Sequence, residues 1–172
     1  MILTDYPVEA LCFLLDEVCV PASYIPLIKY KELLLSELPH LGCKRKSDAE
    51  RLPDSAYEAL GLHDMEIRLL RRFFTLYDAK RQKFRELENL NISEEELSAY
   101  RELYYLPGVK QTRAALYYCA GYRCLKDFTQ TTVEAVQKKT AQVIAAQSLS
   151  WIVPLPKEIR THIAVAKAFT TE

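Results

Sequence analysis

Three histidines, five cysteines and one run of glutamates are the residues of this chain that could do chemistry. His40, His63 and His162 could ligate a metal or carry a proton, but none stands at ligand spacing from a cysteine or another histidine. Cys12 and Cys19 are seven apart and can share one helix face, which reads as buried thiols in a leucine-rich helix. Cys119 and Cys124 straddle Gly121, where packing is the plainer role. Glu94, Glu95 and Glu96 are explained by a helix start rather than by paired-carboxylate catalysis. There is no P-loop and no Rossmann glycine pattern. The expectation is a non-enzymatic chain with no catalytic residue, no metal and no cofactor. An enzyme with an unmarked cysteine would reveal itself as one thiol much more reactive than the other four.

The charged residues are unevenly spread. Lys44, Arg45 and Lys46 form a compact basic cluster. From Arg68 to Arg85 seven bases accompany one acid, Asp78, and from Glu86 to Glu102 six acids accompany one base, Arg101. Bases closing one helix and acids opening the next suit both helix dipoles, and this complementarity is preferred to a nucleic-acid stripe.

The chain that must position these groups has 172 residues, 49% of them hydrophobic and 27% charged, which fits one domain or two small ones. Its formal net charge is zero, so any nucleic-acid or membrane binding has to come from a local patch. An odd number of cysteines without a CxxC pair suggests reduced thiols in a cytoplasmic protein. The N-terminus carries acids and no base, unlike a signal peptide, and no apolar run approaches the roughly 20 residues of a membrane helix, so no membrane partner is expected.

Only four glycines are present, and apolar residues recur at helical spacing almost throughout. The fold class is therefore all-α, a multi-helix bundle of about seven to nine helices, with each glycine marking a turn or helix end. A first helix is expected over residues 4–19, capped by Thr4 or Asp5, with Leu11, Leu14, Leu15 and Val18 inward. A second spans residues 25–38. Ser47–Glu50 reads as a capping box, and Asp54 caps a short turn that Gly61 stops. The longest helix should open at Asp64 and reach about Glu86, with Ile67, Leu70, Phe74 and Tyr77 as its stripe. Ser93–Glu96 and Thr131–Glu134 are further capping boxes, and Pro156 suits the first turn of a last helix. Two regions, 1–90 and 91–172, are expected to pack as one compact unit. Of the eleven tyrosines, Tyr100 and Tyr104 should be core, while Tyr105 and Tyr118 are open between core and surface.

The most informative stretch is 103–136. Leu106-Pro107-Gly108-Val109 lies between two helical segments, with the small Ala114 on the second and Ala120-Gly121-Tyr122 closing it. Over about residues 93–148 this pattern resembles the helix-hairpin-helix superfamily, and within it is similar to the type of domain found at the carboxy terminus of the RNA polymerase alpha subunit. The resemblance implies a helix-hairpin-helix-like C-terminal half and a DNA phosphate held by hairpin amides and the following helix N-terminus. Residue by residue, those positions are Gly108, Val109, Lys110, Gln111 and Arg113. Lys110 stands where the family has a second glycine, exchanging backbone freedom for a positive charge. Two readings stay open: non-specific binding of the nucleic-acid backbone, or a protein-interaction or self-association module using a Tyr-rich helical surface.

Overall fold

The structure is a computed structural model, and it describes residues 5–17, 19–78 and 82–171. Among these residues it is all-α, with ten α-helices, two 3-10 helices and no strand. The chain divides into two compact units, Leu3–Arg81 and Gln82–Glu172.

The first unit holds α1 (Val8–Phe13), a 3-10 helix (Ala22–Tyr30), α2 (Lys31–His40), α3 (Lys46–Arg51), α4 (Asp54–Ala59) and α5 (Asp64–Leu76). Helices exceed the expected seven to nine because several anticipated ones are divided. α1 starts after Pro7 and ends at Phe13, shorter than the expected 4–19. The expected cap Thr4 and the apolar Val18 lie outside the described residues. Pro26 lacks an N–H to donate, so residues 22–30 wind as a 3-10 helix and α2 begins only at Lys31. α3 opens one residue before Ser47: the Asp48 carboxylate accepts from the Lys44 and Arg45 amides (2.9 and 3.0 Å), while Ser47 bonds to Asp5.

α5 is the wall of this unit. Ile67, Leu70, Phe73 and Phe74 are buried, and Phe73 meets Tyr24 and Tyr77 at 6.1 and 5.2 Å between ring centroids. Each such aromatic contributes on the order of 2–3 kcal/mol through burial. The N-cap is His63, whose amide donates to Glu66 (2.9 Å); the same carboxylate takes Tyr30 Oη (2.7 Å) and pairs with Lys29 (3.2 Å). These donors, the His63 amide foremost, pull the Glu66 carboxyl down to about 2. α5 does not continue to Glu86. It stops at Leu76, where Tyr77 turns its ring into the core against Phe73 and Tyr6.

Two bases of the basic run are engaged within the first unit. Arg71 is tied to Asp54 (2.6 Å) and to the carbonyls of Glu50 and Leu52, joining α5 to α3 and α4. Arg68 pairs with Asp64 one turn back (3.1 Å). Lys80 and Arg81 lie outside the described residues.

The second unit holds α6 (Gln82–Leu87), α7 (Glu94–Leu103), α8 (Gln111–Cys119), a 3-10 helix (Leu125–Gln130), α9 (Val133–Ala146) and α10 (Pro156–Thr170), the longest of all. Ser93 caps α7 as expected, accepting from the Glu96 amide (3.1 Å). Pro156 opens α10. The cap of α9 is Thr132 rather than Thr131, whose hydroxyl is engaged by Tyr122 Oη (2.8 Å). α10 lies across the 3-10 helix and α9, and α7 packs on α8. Tyr100, Tyr104, Tyr105, Tyr117 and Tyr122 are all buried, with Tyr117, Tyr122 and Phe128 forming one aromatic knot. Tyr118 is half-buried beneath the Arg123 guanidinium, 4.4 Å from its ring centroid. The tyrosines near the hairpin therefore build core rather than a face.

α9 ends in a Schellman closure, with the Leu149 amide on the Ile144 carbonyl (3.0 Å), but a serine, Ser148, carries the left-handed backbone (φ 51°). Gly121 fills the corresponding place after α8 (φ 96°). Ser148→Gly should raise stability by about 1 kcal/mol, read as a higher denaturation midpoint at unchanged slope.

Candidate functional site

The hairpin joins α7 to α8 through a tight turn. The Val109 amide returns to the Leu106 carbonyl (3.3 Å), and Gly108 sits at φ 73° behind Pro107. Proline second and a left-handed glycine third are what a type II turn demands. Leu106 and Val109 are fully buried anchors, and buried Ala114 leaves room for α7 and α8 to meet.

Two buried basic side chains hold this turn from inside. Lys83, 6% exposed, donates to the Leu106 carbonyl (3.1 Å), with its ammonium 5.6 Å from the Tyr104 ring centroid. His162, fully buried on α10, lies 2.8 Å from the Pro107 carbonyl through Nε2 and 2.8 Å from Tyr117 Oη through Nδ1. A carbonyl only accepts, so Nε2 carries the proton and Nδ1 receives the tyrosine hydroxyl. Burial pushes the imidazole down to about 4, so it is neutral near pH 7.

The inward Pro107 carbonyl fixes where one donor faces. In a trans peptide the N–H points opposite to the C=O. With the Pro107 carbonyl drawn to His162, the Gly108 amide points away from the core, and Gly108 itself is exposed. Lys110, the N-cap of α8, is exposed and offers no side-chain cap, so the first turn of α8 keeps its outward amides. Gln111 and Thr112 are exposed beside it.

Arg113 is placed differently from its neighbours. Its guanidinium pairs with Glu158 of α10 (Nε to Oε1, 3.1 Å) and donates to the Ile152 carbonyl (3.1 Å). It is a strut between α8, the 148–155 connection and α10. Of the five positions the sequence singles out, Gly108, Lys110 and Gln111 face outward together, Val109 is buried, and Arg113 is occupied within the protein.

The strut leaves a groove of about 510 Å³ between the hairpin end of α8 and the segment Ser150–Ile152. Gly108, Lys110 and Gln111 line one side, and Trp151 and Ile152 the other. Ile152 is 76% exposed and Leu155 65%, while Trp151 is half-buried. From Leu103 to Glu172 nine lysines and arginines stand against four acids. Most acids of this unit lie before that point, and Glu88 and Glu95 are paired with Arg101 and Arg123.

Sequence reasoning misses Lys83, His162 and Trp151. Nothing in the spacing of a lone histidine 55 residues after Pro107 marks it as a partner of the turn. No family model, no curated protein and no solved structure matches the chain.

Proposed function

We propose that residues 93–148 form a helix-hairpin-helix-type module that binds the phosphate backbone of nucleic acid without reading sequence. One observation carries this reading: the Pro107 carbonyl is held inward by His162, so the Gly108 amide of the same peptide unit faces outward beside Lys110 and the uncapped start of α8. Outward amides at a helix N-terminus favour an anion. Lys110, in place of a second glycine, adds a point charge that a phosphate would meet.

The test is anisotropy of labelled oligonucleotides of mixed sequence over a series of salt concentrations. The logarithm of the affinity should fall linearly with that of the salt concentration. Lys110→Glu should weaken binding by about tenfold and flatten the slope by about one. Lys110 is exposed, so the variant leaves the core intact, whereas reversing Arg113 would disturb the Glu158 strut. Salt-insensitive binding, or an affinity that ignores Lys110→Glu, would sink the site.

A second reading, association with a protein or with itself, is favoured by the exposed Ile152 and Leu155 rather than by the tyrosines. It requires self-association or protein capture that persists at high salt and is lost on Ile152→Ser with Leu155→Ser.

A further inference from the structure

The groove beside the hairpin has two unlike walls, and their pairing narrows the ligand. One wall presents outward amides and Lys110. The other presents Trp151, the sole tryptophan of the chain, and the largely exposed Ile152. Glu158 also lines the groove, but its carboxylate is paired with Arg113 and does not oppose an anion with a full charge. The same Arg113 holds the Ile152 carbonyl at 3.1 Å, so the apolar wall is fixed against α8 before any ligand arrives.

We infer that this groove takes single-stranded nucleic acid, with a phosphate at Gly108–Gln111 and the adjacent base laid against Trp151 and Ile152. The inference rests on the phosphate-binding reading above. A duplex turns sugar and phosphate outward and keeps its bases stacked, so it has nothing apolar to cover Trp151 and Ile152. An unpaired strand offers a base face at every nucleotide, and stacking on an aromatic side chain adds to a backbone contact without demanding sequence. A volume of about 510 Å³ lies in the range of small-molecule sites and leaves room for one nucleotide.

Because Trp151 is the only tryptophan, the fluorescence of the full chain reports on this wall alone. The chain is titrated with a short oligo-thymidine, an abasic strand of equal length, a duplex of equal length and poly-glutamate of equal charge. The thymidine strand should quench Trp151 and bind about tenfold more tightly than the abasic strand or the duplex. Trp151→Ala should lower its affinity to the abasic level and leave the abasic and duplex affinities unchanged. Ile152→Ser, at a position that carries no core load, should lower only the thymidine strand, by about threefold. Equal affinity for all three nucleic acids, with no quenching and continued dependence on Lys110, overturns the base-stacking wall while the phosphate site stands. Failure of every nucleic acid to bind overturns both. Quenching by poly-glutamate as strong as by the thymidine strand reassigns the groove to acidic peptides.

Discussion

Replacing His162 with alanine should cost about 4 kcal/mol of stability. The imidazole is fully buried and satisfies two groups that would otherwise be stranded, the Pro107 carbonyl and the Tyr117 hydroxyl. Each buried unsatisfied group costs about 1–3 kcal/mol, and the vacated space adds a cavity cost. Tyr117→Phe removes one partner and leaves the Pro107 bond intact, so its cost should be about 1–2 kcal/mol. Denaturant unfolding of the three proteins tests the order, and a His162→Ala midpoint close to the parent's would mean the bonds to the hairpin carry little.

The same residue sets a pH signature. Its folded value is held at about 4 by burial, while the unfolded chain titrates near 6.5. Between these values the unfolded state binds a proton that the folded state refuses, so stability rises with pH there. This contribution is fully present above about pH 6.5 and is lost progressively as pH falls to about 4, amounting to about 3 kcal/mol across that window. Glu66, held low by its donors, acts in the same direction at more acid pH. His162→Gln keeps a donor for Pro107 without a titrating group. It should flatten the pH profile between 4 and 6.5 even if it is less stable overall.

What the sequence makes legible divides along the range of the interactions. Ser93 as a cap, Pro156 in a first turn, and the turn at Pro107-Gly108 are local events whose chemistry is complete within four or five residues. They are readable without the fold. Helix lengths are not, because the burial of the Tyr77 ring that ends α5 depends on Tyr6, an element distant in sequence. The candidate site shows the same division. Gly108 and Lys110 announce themselves in the hairpin, whereas the inward hold on its carbonyls comes from Lys83 and His162, one 23 residues before Leu106 and the other 55 after Pro107. Arg113 sits at hairpin spacing and looks like a phosphate contact. Its role becomes visible only when α10 delivers Glu158.

That role predicts the second large effect. Arg113→Glu should destabilise the second unit by about 3 kcal/mol. Each side chain of the pair is 22% exposed, so the cost stays at the low end for a broken buried pair. Glutamate would face Glu158 and leave the Ile152 carbonyl without its donor. On dipole grounds alone the change should help: position 113 lies in the first turn of α8, where an acid is favoured over a base. The two effects have opposite signs. The dipole term is worth about 0.3–1 kcal/mol, so the lost pair should win. Freed from the strut, the 150–152 segment should let Trp151 into water, and its emission should shift to longer wavelength at denaturant concentrations where the parent is native. Exchanging the partners, Arg113→Glu with Glu158→Arg, restores the charge pairing and should recover more than half of the loss. A swapped protein as unstable as the single variant would show that Arg113 matters for something other than Glu158.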